Sequence, residues 1–267
     1  MTTKPSAAPW ADEPFKLITL PDGRADITNK EHSAVYCATQ MAQVHNFMIR
    51  GLNAIIQQAP HIPTISDPNY NEQDVKDLMK YVQIWIEGME KHHHVEEVCI
   101  FPEIEKFAGK PGLMDSPKHQ HETFTPGLEK LLKYCKESSP ENYRWSGQGG
   151  MEELINDFSD ALITHLYAEI DIFLSLKTLE SAGLKKCWEI GEKFSQSEGF
   201  VDMLYTTFPM VLGTADKTYE GGTPFPPVPF IMPYIVHYWF AAGNSVWRFN
   251  PCDFWGKPRP LQFTSKS

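Results

Sequence analysis

Residues that bind cations stand in the middle of this 267-residue chain at spacings that let them act together: His45, His92 with Glu96 (or His93 with Glu97), His121, and His165 with Glu169. Within each His-x-x-x-Glu pair the residues are four apart, so on a helix they share one face and aim two donors at a common point. Burying that many ionisable groups among apolar side chains is costly without a partner, and a cation is the simplest partner that satisfies them all. Imidazole and carboxylate without thiolate suit iron, with manganese or zinc as substitutes, whereas calcium and magnesium want oxygen alone. Four histidines and two glutamates are too many for one ordinary site. Two ions bridged by the two glutamates would use every ligand.

Positioning these residues requires four amphipathic helices, and the apolar periodicity predicts them. The first runs over about residues 31–58, with Ala38, Met41, His45, Met48, Leu52 and Ile55 at steps of three and four. The second covers about 72–107, with Val75, Leu78, Val82, Trp85, Met89, Glu96, Ile100 and Ile104 on one stripe. The third starts at Ser116 as N-cap with Pro117 at the first helical position and reaches about Lys136, with a kink or a restart capped by Thr125 expected at Pro126. The fourth spans about 151–180 with Met151, Leu154, Phe158, Leu162, His165, Glu169, Phe173 and Leu176 in register. The fold class expected is all-α, an up-down-up-down four-helix bundle with additional short helices. Three regions follow: an extended segment over 1–30, the bundle over 31–183, and an extension over 184–267. The last is rich in proline and aromatic residues from Tyr219 to Phe263 and has no clean period, so it is expected to wrap the bundle.

The order H…H-x-x-x-E…H…H-x-x-x-E, here His45 in QVHNFMIRGLNAI, His92 and Glu96 in HHHVEEVCIFP, His121 in QHETF, and His165 and Glu169 in THLYAE, resembles the hemerythrin-like, or HHE cation-binding, proteins over roughly residues 31–176. The Ile-Phe-Pro register of that family favours His92 and Glu96 over His93 and Glu97, and leaves His94 facing solvent. The resemblance implies a non-haem di-iron centre that meets O2. Oxygen carriers of the family take a fifth histidine from a His-x-x-x-His pair on the third helix, and here Pro117 occupies the position four before His121. The fifth histidine looks absent, which would open a coordination position as in catalytic metal sites. His119 points to the opposite side of an ideal helix.

The function expected is therefore binding and activation of O2 by a di-iron oxidoreductase acting on a small organic substrate, with the extension shaping its pocket. The alternative is sensing or binding of O2, NO or iron without turnover. A balance of 24 Lys and Arg against 34 Asp and Glu, net −10, argues against nucleic-acid binding. Five scattered cysteines without a C-x-x-C pair suggest neither a disulfide framework nor a thiolate zinc site, and fit a reducing, cytoplasmic compartment. The apolar stretch at 225–243 carries four prolines at 226, 227, 229 and 233, so it reads as folded against protein and not as a membrane span. His32, His61, His237 and Tyr167 lie outside the ligand pattern.

Overall fold

The structure is a computed structural model that describes residues 10–21, 31–197, 200–222 and 225–264. Most of the N-terminal extended segment expected over 1–30 lies outside the described residues. Among the described residues there are ten α-helices and no β-strand, only an isolated bridge between Cys252 and Pro258.

Four long elements surround the candidate ligands. Helix α1 (Ser33–Gln58) begins where the His32 ring accepts from the Ala34 amide and, through its other nitrogen, donates to the Leu179 carbonyl 2.9 Å away. Helix α2 (Glu72–Val95) is capped by Asn71, whose side chain accepts from the Gln73 amide, and carries Glu72 and Asp74 in its first turn, where acidic groups complement the helix dipole. It continues through a π-turn, Glu96–Ile100, into α3 (Phe101–Ala108), which stops at Gly109 in the left-handed conformation (φ 62°). Helix α4 spans Asp115–Glu137, and α5 (Met151–Asn156) leads into α6 (Ser159–Ser175). The pairs α1–α2, α2–α4, α4–α6 and α6–α1 pack together, which closes the ring of a four-helix bundle.

Packing sets how closely these helices approach. Gly51 of α1 lies against the Trp85 indole, where an added Cβ would come within 2.5 Å, and the Trp85 ring N–H donates to the Met48 carbonyl at 3.0 Å. Gly127 of α4 performs the same service for Phe158.

Two expected boundaries are corrected. Ser116 is not the cap of α4: the helix starts at Asp115 after Met114, and Pro117 falls at its third residue, where a missing N–H still costs no intrahelical bond. Pro126 does not restart the helix. It lies inside continuous α4, and the Thr125 hydroxyl donates to the His121 carbonyl at 2.7 Å instead of capping a new helix. The fourth expected helix is divided at Asp157–Phe158, an offset that lets Phe158 enter the core at 1% exposure.

Helix α7 (Ser181–Ser197) flanks the bundle against α1, α3 and the π-turn, with Gly191 pressed on Ile100. Helices α8 (Phe200–Tyr205) and α9 (Thr207–Thr214) follow, and then α10 (Met232–Ile235), which runs into a second π-turn over Val236–Phe240. The extension covers the bundle only in part. Trp247 and Phe249 are buried, Phe249 packs at a tilt against Tyr81 of α2 and stacks on Phe263, and Arg248 reaches Asp74 and Asp77 of α2 at 2.9 and 2.6 Å. Phe230, Tyr238 and Trp239, by contrast, are 86%, 71% and 72% exposed. No helix among the described residues is long and apolar enough to cross a membrane.

Candidate metal centre

The six expected ligands converge in the middle of the bundle, and a seventh residue joins them. Two groups form, His45, His92, Glu96 and Glu169, and His93, Glu96, His121 and His165. Within each group the donor atoms all lie within 4.8 Å of one another, and Glu96 belongs to both. Helix α1 supplies His45, α2 supplies the two adjacent histidines, the π-turn begins at Glu96, α4 supplies His121, and α6 supplies His165 and Glu169. His45, Glu96, His165 and Glu169 have no exposed surface, and the His92 side chain keeps 15%.

Hydrogen bonds at the outer ring nitrogens determine what faces the centre. His45 donates from Nδ1 to the Leu166 carbonyl at 2.7 Å, His121 from Nδ1 to the Glu97 carboxylate at 2.6 Å, and His165 from Nδ1 to the Gln120 side-chain carbonyl at 3.0 Å. With its proton held there, each ring turns an Nε2 lone pair inward. Two pairs of lone pairs then face each other, Nε2 of His121 and Nε2 of His165 at 3.2 Å and Nε2 of His45 and a Glu169 oxygen at 3.2 Å, while Nε2 of His92 lies 3.3 Å from Nε2 of His45 and 2.9 Å from a Glu96 oxygen. Burial drives His92 down to about 4, His165 down to about 3 and His93 well below the ordinary histidine value, so these rings are neutral at neutral pH. Burial also pushes the Glu96 carboxyl well above the usual carboxylate range, and the neighbouring Glu169 adds to the shift.

Four carboxylate oxygens, both of Glu96 and both of Glu169, are buried without a hydrogen-bond partner among the described residues, as is Nε2 of His93. Orphans of this kind cost free energy in a low-dielectric core, and converging lone pairs repel. A pair of cations removes both penalties, so the donor set fits two imidazole- and carboxylate-bound metal ions.

His93 alters the expectation drawn from Pro117. A fifth imidazole is present, but it comes from the second helix and not the third. The His93 ring packs against His121, centroids 4.2 Å apart and planes tilted by 36°, and lies 5.4 Å from His165. Its signal was in the sequence. Glu96 is four residues from His92 and three from His93, and both spacings bring side chains to the same helical face, so the glutamate sits angularly between the two rings. Choosing between the pairs 92/96 and 93/97 missed that both histidines use the same glutamate. Glu97 lies outside the two groups, as the acceptor for His121.

The remaining candidates take other roles. His94 is exposed, and exposed His119 donates to the Asp115 carbonyl. His32 caps α1, the Tyr167 hydroxyl donates to the Lys16 carbonyl, and the His237 ring packs with Tyr238, Phe254 and Trp255, away from the centre.

Known proteins show the same pattern. The family model described as the hemerythrin HHE cation binding domain matches residues 38–176. Over 257 residues the chain is 37% identical to "Dimeric xanthone biosynthesis cluster protein R11" of Cryptosporiopsis sp. (strain 8999), which covers 95% of this chain and 93% of that relative. No solved structure matches. With half of its length matched by the family model, and with every His-x-x-x-Glu pair of the family's motif facing one buried centre, the chain belongs to the hemerythrin HHE cation-binding family.

Proposed function

We propose that the chain holds two non-haem iron ions and serves O2-dependent oxidation of a small organic molecule. In this reading His93, His121 and His165 would hold one ion, His45, His92 and Glu169 would hold the other, and Glu96 would be available to both. The observation that carries it is the sharing of Glu96 between two groups whose carboxylate oxygens are otherwise orphaned. Iron held by imidazole and carboxylate supplies one-electron redox chemistry and affinity for O2. The chain's own residues orient the imidazoles from outside through Leu166, Glu97 and Gln120, and exclude bulk water by burial. Each group offers four protein donors, counting the shared Glu96, so exogenous ligands are expected at the positions that these donors would leave open. A relative whose name places it in a xanthone biosynthesis cluster supports a biosynthetic role.

The test has two stages. Metal analysis of protein expressed with ample iron should find close to two ions per chain, and zero ions or a single zinc would end the di-iron reading. Reduced protein is then mixed with O2, with and without an added organic substrate and reductant. Repeated O2 consumption that depends on the substrate supports the oxidase. Burial of the whole cluster favours a second reading, binding or sensing of O2, NO or iron without turnover. Reversible O2 uptake over many cycles would establish that reading and exclude the first.

A further inference from the structure

A second polar site lies on the other side of α1, where the helix meets the C-terminal extension. A small cleft, partly open to solvent, is lined by Leu20, Gln43, Arg50, Asp216, Tyr219 and Phe225 among others, and by none of the seven residues of the metal cluster. Arg50 follows His45 by five residues, which turns it roughly 140° around the helix axis, so the two side chains leave opposite faces.

Arg50 is the feature that needs an explanation. Arg50 is 3% exposed, yet among the described residues its guanidinium makes a single hydrogen bond, from Nη1 to the Thr214 carbonyl at 3.3 Å. Nε and Nη2 are buried and have no partner among the described residues. These two nitrogens form the side edge of the guanidinium, the pair of parallel donors that grips a carboxylate in bidentate fashion. One face of the same group is covered by the Tyr219 ring, with 5.2 Å from the guanidinium carbon to the ring centroid, which fixes its plane.

Asp216 does not neutralise Arg50 by contact. It is 2% exposed and spends Oδ1 on the Thr218 amide and hydroxyl, at 2.8 and 2.6 Å, and among the described residues no ion pair joins it to Arg50. Two opposite charges thus line one cavity without meeting. The carboxylate of Asp216 selects against dianions such as phosphate and tolerates a single negative charge that lies close to Arg50. Leu20, Tyr219 and Phe225 give the mouth an apolar wall for the rest of the molecule.

We propose that the Nε and Nη2 edge of Arg50 anchors a binding site for a small monocarboxylate, closed by the C-terminal extension and separate from the metal centre. The site does not depend on what metal the cluster holds.

Acetate and inorganic phosphate are the probes, titrated into the full-length metal-loaded protein by calorimetry with the optical spectrum followed in parallel. Saturable acetate binding without a spectral change, and at least about tenfold tighter than that of phosphate, is the expected result. Arg50→Gln should weaken acetate by about tenfold or more. Should that variant fail to fold, Asp216→Asn gives the opposite test: it keeps an oxygen for Thr218, removes the competing charge, and should tighten acetate severalfold. Binding that perturbs the spectrum and survives Arg50→Gln would place acetate on the metals and overturn the proposal, as would phosphate binding as tight as acetate, an unchanged affinity in Asp216→Asn, or no saturable binding.

Discussion

Glu96 is the residue on which both halves of the cluster depend, and single substitutions separate the halves. Under the proposed two-ion assignment, Glu96→Ala would remove a ligand from both ions and is expected to leave the protein nearly metal-free. Glu169→Ala and His93→Ala each remove a ligand from one group and should bring metal content from about two ions to about one per chain. His94→Ala, at an exposed position, should change nothing. Metal analysis of the four purified variants checks the assignment, and retention of two ions by His93→Ala would return the site to the six residues that the family's Ile-Phe-Pro register selects. Glu97 acts one step out. Its carboxylate holds the Nδ1 proton of His121, so Glu97→Ala should weaken metal affinity by about 10- to 100-fold without abolishing binding, measured by chelator competition. The His-x-x-x-Glu pairs were legible because a helix converts that spacing into proximity. His93 was harder to see, because a rule that assigns each residue one face cannot show two neighbouring side chains closing on one carboxylate.

At the scale of elements, helix continuity was readable and its local departures were not. Pro126 has the sequence signature of a break, yet α4 runs through it, since Gly127 and the residues around it are held by packing against Phe158. That contact predicts its own test. A Cβ on Gly127 would lie 2.5 Å from the Phe158 Cβ, so Gly127→Ala should force α4 and α6 apart and destabilise the protein by about 1–3 kcal/mol, measured by urea denaturation. An unchanged midpoint would mean that the helices accommodate the methyl group elsewhere. The π-turn at Glu96–Ile100 likewise leaves no trace in a 3.6-residue stripe, though such turns recur at functional sites.

For the whole molecule, the cluster is a source of stability only when its lone pairs are satisfied. Without bound ions, five imidazoles and two carboxyl groups face one another, with zero exposure for both glutamates. Ions held at about 100 times their dissociation constant stabilise by roughly 2.7 kcal/mol, and a chain of this size shifts by about 2–4 °C per kcal/mol, so chelation should lower Tm by about 5 °C or more. A melting curve unchanged after verified metal loss would show that the bundle tolerates the empty cluster. The cysteines report on the same transition. All five are free and buried, and burial pushes the Cys37, Cys135 and Cys252 thiols up to about 12, which suppresses the reactive thiolate. At pH 8 the metal-loaded protein is expected to resist alkylation over a period in which the denatured chain is labelled at all five, as counted by mass spectrometry. Rapid labelling of Cys37 or Cys135 in the native state would place them at a mobile surface.

Spacing and residue type determined that this chain is an all-α bundle carrying His45, His121, His165 with Glu169, and one of the pairs His92/Glu96 or His93/Glu97 toward one centre, because helical geometry maps i and i+4 onto one face wherever the helix lies; the resemblance to the family selected His92 and Glu96. Tertiary structure decided what no single helix contains. It brought His93 against His121 of another helix, assigned Glu97, Gln120 and the Leu166 carbonyl to hold the ring protons, and set Arg50 beside Asp216 across 166 residues of chain. It also divided the aromatic extension, burying Trp247 and Phe249 on α2 while leaving Tyr238 and Trp239 exposed. These outcomes depend on which surfaces meet, and in a segment without a repeating period no local rule says which side chains will find a partner.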